Sequence, residues 1–184
     1  MVIGTAAYCG SGQDVLGDSI SHLYGYKKYS MGDIIRKIAH EQGRPTDRTT
    51  LRQIRSECDE HYGKLYFPKI IVENIRESED KDCIITGIRT VEELEMFKYE
   101  LPFRLIFLNA KEEIRLRRML RRKAKKDEST IDALKRQMDV ECKTFDYEDL
   151  EKAADLYFDF SMELEQFKEN ESDIVKKIMK ELGI

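Results

Sequence analysis

The chain has little that would support a zinc site or a disulfide framework. Its 184 residues include three histidines and four cysteines, Cys9, Cys58, Cys83 and Cys142. None of these cysteines forms a CxxC pair, and no histidine stands at ligand spacing from them, so a zinc site is not indicated. Scattered cysteines of this kind are typical of proteins in a reducing compartment. We therefore expect a cytoplasmic protein.

Long apolar runs are also missing. The segment from Met1 to Ala7 is apolar, but it is too short for a membrane span or a signal sequence, and no basic residues precede it. We expect no membrane association and interpret this segment as the first strand. The low content of proline and glycine and the 37% of charged residues favour a helix-rich protein, and the length suits a single domain over residues 1–184.

Positive charge is not in excess. The formal net charge is −4 at pH 7, which argues against a general nucleic-acid-binding function. One basic stretch, from Arg115 to Lys126, is the exception. Its simplest interpretation is a solvated helix face.

Short apolar runs alternate with longer amphipathic segments along the chain. The candidate strands are Val2–Ala7, Lys27–Ser30, Cys83–Thr86, Arg104–Leu108 and Leu156–Phe160. The candidate helices are Asp14–Tyr24, Gly32–Gln42, Thr50–Tyr62, Leu65–Glu77, Val91–Tyr99, Glu112–Lys126, Ile131–Glu141 and Asp173–Leu182. This alternation predicts an α/β fold in which a parallel sheet lies between layers of helices.

A glycine-containing turn joins the first strand to the first helix. Gly10 and Gly12 allow the backbone to curl so that its N–H groups point inward, and the helix that follows adds a partial positive charge. A tight turn that binds nothing is the alternative interpretation. We predict a nucleotide phosphate-binding loop made of Cys9, Gly10, Ser11, Gly12, Gln13, Asp14 and Val15.

This loop departs from the full P-loop pattern GxxxxGK[ST] at three positions. Ala7 replaces the first glycine, Gln13 the lysine, and Asp14 the serine or threonine. Glutamine can donate hydrogen bonds but carries no charge. Losing one preorganised stabiliser of a transition state typically costs roughly 2.7–4 kcal/mol, or about 10²–10³ in rate. An arginine from elsewhere in the chain could supply the missing charge.

Three further segments give the loop a context. The first is Tyr29–Arg36 (YSMGDIIR), and the second is Ile84–Arg89 (IITGIR). The third is Leu105–Ala110 followed by Glu113–Arg122. In this order they resemble the P-loop nucleotide kinases, and they are most similar to archaeal adenylate-kinase-related and dephospho-coenzyme-A-kinase-like proteins. The resemblance implies a three-layer fold with a five-stranded parallel sheet in the order 2-3-1-4-5. It also implies an acceptor-binding arm at about residues 31–64 and a lid at about residues 118–142.

The resemblance also implies roles for particular residues. Arg36 and Arg89 would contact the acceptor phosphate, with Asp33 in the same acceptor-binding segment. Arg121 or Arg122 would reach the transferring phosphoryl group and act in catalysis together with Gln13. Each arginine has the alternative of being a surface cation, and Asp33 the alternative of anchoring a helix N-terminus.

A magnesium site is a further implication. Related kinases hold the ion through the loop hydroxyl and an aspartate at the end of a strand, and here the two residue types are exchanged. Asp14 stands in place of the hydroxyl and Thr86 in place of the aspartate, and both oxygen types suit a hard cation. Without the metal, Asp14 would instead repel phosphates at short range.

We therefore predict a nucleotide-binding protein that transfers the γ-phosphoryl group of ATP or another nucleoside triphosphate, with Mg²⁺, to a nucleotide or nucleotide-like acceptor such as a nucleoside monophosphate or dephospho-coenzyme A. Its partners would be small-molecule nucleotides, and it would be a monomer or a homodimer. The alternative is a catalytically impaired regulatory protein on the same fold. RNA binding through the basic stretch is a third class, which the acidic composition disfavours.

Overall fold

The computed structural model describes residues 1–123 and 130–184, and the side chains of all of these except residues 122 and 123. The strands are β1 Val2–Ala7, β2 Lys27–Ser30, β3 Cys83–Ile88, β4 Phe103–Asn109 and β5 Leu156–Asp159. The helices are α1 Gln13–Tyr24, α2 Met31–Glu41, α3 Arg48–Tyr62, α4 Tyr66–Ser78, α5 Val91–Glu100, α6 Glu112–Lys123, α7 Ile131–Thr144, α8 Tyr147–Lys152, α9 Leu164–Glu169 and α10 Glu171–Glu181.

The five strands form one parallel sheet in the order β2-β3-β1-β4-β5. The central strand β1 pairs with β3 on one side and β4 on the other, so that Thr5 lies opposite both Thr86 and Ile106. All connections cross over through helices, as parallel pairing requires. The strand order expected from the family resemblance is confirmed.

Both faces of the sheet are buried, because successive side chains of each strand alternate between two apolar cores. Along β1, Val2 joins the core that is covered by α2 to α5, whereas Ile3 joins the core beneath α1 and α10. Phe107 and Leu108 of β4 divide in the same way. The three-layer arrangement with helices on both faces is therefore confirmed.

The structure differs from the sequence expectation mainly at the ends of elements. Strand β3 continues past Gly87 to Ile88, which pairs with Ala6 across a register shift in β1. The short helices α8 and α9, six residues each, were not expected. Fewer than two turns of helix give too few positions to show a 3.6-residue period. Among the described residues, no helix is both long and apolar enough to cross a membrane.

Candidate functional site

The glycine turn lies at the carboxyl end of the central strand, between β1 and α1. Its backbone closes through a hydrogen bond from Ser11 N to the carbonyl oxygen of Tyr8, 3.0 Å long. Gly10 and Gly12 have φ angles of 88° and 91°, which residues with a Cβ rarely adopt. Space is also restricted, since a Cβ at Gly12 would lie 2.7 Å from Cε1 of Phe160. Glycine is therefore required at this point for two independent physical reasons.

The first turn of α1 is open to a ligand. Gly12 is its N-cap residue, and no side chain in the described part of the chain caps it. The first N–H groups of a helix without a cap can bind an anion, and the helix dipole favours negative charge there. The loop and this helix end therefore have the geometry of a phosphate cradle.

Several side-chain oxygens around the turn are buried but have no hydrogen-bond partner among the described residues. They are Thr5 Oγ1, Ser11 Oγ, Gln13 Oε1 and Thr86 Oγ1. Buried polar atoms are nearly always paired, with protein or with ordered water or ligand. Four unsatisfied oxygens close to one turn are consistent with a site that a polar ligand completes.

The turn opens into a cavity of about 450 Å³. One wall consists of the turn from Ala7 to Asp14 and the end of β3 from Thr86 to Arg89. The opposite walls come from α2, α3 and the junction of α7 with α8. A ligand that occupies this cavity would therefore contact the glycine turn, α2, α3 and α7 together.

Among the described residues, arginines from several elements line the cavity. The five that line it are Arg36, Arg48, Arg52, Arg55 and Arg89. Arg36 donates through Nε to Asp33 Oδ1 at 3.1 Å. Arg89 stacks on the ring of Phe145, 4.8 Å from its centre, and no ion pair to Arg89 is present within residues 1–123 and 130–184. Its charge is therefore available to an anionic ligand.

Arg55 is held by the turn that carries Arg89. The Arg55 side chain is 12% exposed and contacts the buried carboxylate of Glu93. The same carboxylate accepts from the backbone N–H of Arg89 at 2.7 Å and of Thr90 at 3.2 Å, which completes a capping box at the start of α5. Glu93 therefore fixes the backbone of the strand end and the arm helix at the same time.

Two more arginines of α3, Arg48 and Arg52, contact one carboxylate, that of Glu141 on α7. Arg48 also lies 3.4 Å from the sulfur of Cys9 in the glycine turn. Burial, together with the charge of Glu141, raises the pKa of the Cys9 thiol, so that it stays protonated near neutral pH. Cys9 is consequently a poor nucleophile, and we assign it no covalent chemistry.

Asp14 and Thr86, the expected magnesium ligands, line the same cavity. The Asp14 side chain is 58% exposed, and the ammonium group of Lys28 on β2 lies 3.9 Å from it. Lys28 also pairs with Asp18 at 2.7 Å. The combination of a carboxylate and a buried hydroxyl that no described residue hydrogen-bonds fits a hard cation such as Mg²⁺.

The described arginines of α6 differ in burial. Arg118 is 7% exposed and donates to the carbonyl oxygens of Phe160 and Met162 at 2.8 and 2.7 Å. Arg121 is exposed, and it lies 3.8 Å from Glu163 and outside the residues that line the cavity. The side chain of Arg122 and the residues Lys125 and Lys126 lie outside the described part of the chain. The basic stretch is thus not uniformly solvated, since Arg118 donates to backbone carbonyl oxygens.

The cavity brings together most of the residues expected from the sequence. Those that line it are Cys9, Gly10, Ser11, Gly12, Gln13, Asp14, Arg36, Thr86 and Arg89. Val15 packs against the core beneath α1, and Asp33 lies in the first turn of α2, where Ser30 is the N-cap residue. Neither of these two side chains belongs to the cavity wall.

The arginines of α3 and their acidic partners were not expected from the sequence. Arg48, Arg52 and Arg55 follow an i, i+4, i+7 spacing, which places them on one face of a helix. The spacing Thr90-x-x-Glu93 is that of a capping box. Both patterns could have been found in the sequence. Glu141 carries no comparable local signal.

Proteins with related sequences occur in archaea. A UPF0200 protein of Methanothermobacter thermautotrophicus is 35% identical over 130 residues, a match that covers 70% of this chain and 65% of that protein. The matched part thus spans somewhat less than two thirds of that relative's length. A UPF0200 protein of Sulfurisphaera tokodaii is 25% identical over 185 residues, with 97% of each chain covered.

Solved structures of small-molecule kinases share the fold. Shikimate kinase from Bacteroides thetaiotaomicron has a TM-score of 0.65 at 17% identity, with 100% of this chain and 99% of that chain covered. Dephospho-CoA kinase from Campylobacter jejuni has a TM-score of 0.57 at 16% identity, with 97% of each covered. At these identities the likeness establishes a common fold and leaves the acceptor open.

A family model described as an AAA domain (AAA_17) matches residues 7–135. That range begins at the end of β1 and includes the glycine turn, the arm and the strand end that carries Arg89. The chain therefore belongs to the AAA_17 family of AAA domains and has the fold of the P-loop kinases.

Proposed function

We propose that the protein binds a nucleoside triphosphate, such as ATP, at the glycine turn and transfers its γ-phosphoryl group to a small acceptor that carries an anionic group. A nucleoside monophosphate and dephospho-coenzyme A are the acceptors that we favour. The observation that carries the proposal is that one cavity contains both the phosphate cradle of Gly10 to Asp14 and five arginines from the arm and the end of β3. Its small-molecule partners would be nucleotides of the cytoplasm.

The proposed reaction depends on positioning and on charge, as in other phosphoryl transfers. Backbone N–H groups of the turn and of the first turn of α1 would bind the donor phosphates. Arg89 and Arg36 would hold the anionic group of the acceptor, because a guanidinium matches the geometry of phosphate oxygens. The aromatic ring of Phe145 beneath Arg89 would keep its guanidinium in place.

Asp14 and Thr86 would hold the magnesium ion that accompanies the nucleotide. The bound ion would offset part of the charge on the phosphate oxygens. Lys28, next to Asp14, would limit the repulsion between this carboxylate and the phosphates when the metal is absent.

The proposal can be tested with a coupled assay that supplies ATP and, in turn, each nucleoside monophosphate and dephospho-coenzyme A. Turnover with one of these acceptors that is lost in Arg89→Gln supports phosphoryl transfer in this cavity. Arg104→Gln is the matched control, since Arg104 is half exposed and pairs with Asp155 at 3.0 Å, away from the cavity. Turnover that is equally sensitive to both substitutions would contradict the proposed site.

A second candidate function, regulation through nucleotide binding without catalysis, is favoured by Gln13. This residue stands where the catalytic lysine of P-loop kinases is expected, and its side-chain oxygen is buried without a partner among the described residues. An amide cannot offset the charge of the transferring group. Turnover that appears only after Gln13→Lys, in a protein that binds ATP in both forms, would support this candidate over the first.

A further inference from the structure

Two arginines of the cavity share one carboxylate. Oε1 of Glu141 lies 2.6 Å from Nη1 of Arg48 and 3.0 Å from Nη2 of Arg52. The Glu141 side chain is 6% exposed, whereas the two arginine side chains are 45% and 42% exposed. A buried carboxylate thus reaches out of α7 and occupies the space between two accessible guanidinium groups.

This cluster joins three parts of the protein. Arg48 and Arg52 belong to α3, Glu141 belongs to α7, and Cys9 belongs to the glycine turn, where its sulfur is 3.4 Å from Arg48. The amide of Gln137, one turn earlier on α7, lies 3.5 Å from the same oxygen of Glu141. All of these contacts except that of Gln137 involve residues of the cavity wall. Glu141 therefore belongs to the wall of the cavity that a ligand would occupy.

The charges of the cluster are not balanced. Two guanidinium groups share one carboxylate, while Arg36 and Arg55 each contact carboxylates of their own, Asp33 and Glu93. An arginine pair binds a phosphoryl group more strongly than one carboxylate oxygen, because phosphate offers more oxygens and more negative charge. Arg48 and Arg52 can therefore bind an anion that carries more negative charge than the Glu141 carboxylate.

We propose that Arg48 and Arg52 form an anion subsite for a phosphoryl or carboxylate group of the ligand, and that Glu141 occupies this subsite in the ligand-free protein as an internal competitor. A ligand anion displaces the Glu141 carboxylate from both arginines. The inference extends the proposed function to a second anionic group on the acceptor, beyond the group assigned to Arg36 and Arg89. It also makes Glu141 a specificity-determining residue, since a neutral acceptor cannot replace it.

The fraction of molecules in which Glu141 occupies the two arginines determines how far the apparent affinity for an anion is lowered. If Glu141 occupies the arginines in about nine molecules out of ten, the apparent affinity of an anion is lowered roughly tenfold. A purely structural ion pair would behave differently. Its removal would mainly destabilise the contact of α7 with α3, because a carboxylate that no ligand displaces serves only as the partner of the two arginines.

The test measures binding of inorganic phosphate by calorimetry, and binding of acetate in a separate arm. Glu141→Gln removes the charge with nearly the same shape, and we expect it to bind phosphate roughly tenfold more tightly than the wild type. Asp139→Asn is the matched control, because it removes the same charge from the exposed face of the same helix. We expect its affinity to stay within about twofold of the wild type. If Glu141→Gln binds only phosphate more tightly, the subsite is specific for a phosphoryl group. If it binds both phosphate and acetate more tightly, the subsite accepts a phosphoryl or a carboxylate group.

A triple variant locates the effect. Adding Arg48→Gln and Arg52→Gln to Glu141→Gln should abolish the gain, whereas a gain that survives would place the anion elsewhere, for example in the glycine turn, and overturn the proposal. No gain in Glu141→Gln would also overturn it. If thermal denaturation shows that Glu141→Gln does not fold, Glu141→Asp, which withdraws the carboxylate by one methylene, should show a smaller gain at the same subsite.

Failure of this inference is distinguishable from failure of the proposed function. Binding of a non-hydrolysable ATP analogue to the glycine turn is measured on the same variants. A phosphate gain without analogue binding would leave the subsite intact and refute nucleotide binding. Analogue binding without a gain in phosphate affinity would support nucleotide binding and refute the anion subsite.

Discussion

Arg118 and Phe160 contact each other in two ways. The guanidinium carbon of Arg118 lies 4.7 Å from the centre of the Phe160 ring, and its Nη2 donates to the Phe160 carbonyl oxygen at 2.8 Å. A second donation reaches Met162, and a longer one of 3.4 Å reaches the carbonyl oxygen of Gly10. Arg118 therefore connects α6, the end of β5 and the glycine turn through one buried side chain.

We expect Arg118→Met to destabilise the protein by about 1–3 kcal/mol, because buried carbonyl oxygens would lose their donor. Urea denaturation of the variant and the wild type measures this difference. Arg117→Met is the control: Arg117 is 50% exposed and pairs with Glu163, so its loss should cost at most about 1 kcal/mol. Equal losses in the two variants would contradict the structural role of Arg118.

Gly12→Ala should be more harmful than Gly25→Ala. Both glycines have positive φ, 91° and 71°, and both substitutions would incur the same type of backbone strain. Only at Gly12 does the added Cβ meet another group, Cε1 of Phe160 at 2.7 Å, whereas no described atom lies within 4 Å at Gly25. We expect an additional loss of about 1–3 kcal/mol at Gly12 and weaker binding of an ATP analogue. A melting curve and a binding titration on each variant check this, and equal effects at the two positions would refute the argument from steric contact.

Nucleotide binding should depend on magnesium, and Lys28 should moderate that dependence. In the metal-free protein the Lys28 ammonium group, 3.9 Å from Asp14, offsets the carboxylate. Lys28→Met should therefore widen the gap in ATP affinity with and without Mg²⁺ by roughly fivefold, the equivalent of about 1 kcal/mol for solvated charges at this separation. Calorimetric titrations with and without the metal measure the gap.

Lys27→Met is the control for this experiment, because Lys27 is an exposed neighbour on the same strand. It should leave the gap unchanged. Equal ATP affinity with and without Mg²⁺ in the wild type would exclude a metal bridge through Asp14.

Alkaline pH should destabilise the protein in a range set partly by Cys83. Burial raises the pKa of this thiol from about 9 to about 11. Between these values the unfolded chain releases the thiol proton while the folded protein retains it, so the free energy of unfolding falls as pH rises. Below pH 9 the contribution is fully present.

The measurement is urea denaturation between pH 8 and 11 for the wild type and Cys83→Ala. The variant should lose less stability over this range, because it lacks the buried thiol. Burial and Glu151 also raise the pKa of Tyr8 to about 12, so some decline persists in both proteins. Identical slopes would show that Cys83 does not contribute.

Local patterns were sufficient for much of the fold. The bounds of β1 and β2 agree with the strands that were predicted, and the glycine turn lies where the spacing of Gly10 and Gly12 placed it. Thr86 and Arg89 lie at the cavity because β3 is parallel to β1, which brings the carboxyl ends of both strands to one edge of the sheet. The α8 and α9 helices were missed because each is too short to show a period.

The amino-acid sequence alone determined the α/β architecture, the order of the elements and the position of the glycine turn, since each depends on residues that are close along the chain. Tertiary structure decided which charges meet. Arg48 and Glu141 are 93 residues apart in sequence, yet they form an ion pair at the cavity. Arg118 is buried where it donates to the carbonyl oxygens of Phe160 and Met162, which follow β5. A helical pattern shows which face a residue occupies, but only the packing of distant elements determines whether that face meets water, a carboxylate or a ligand.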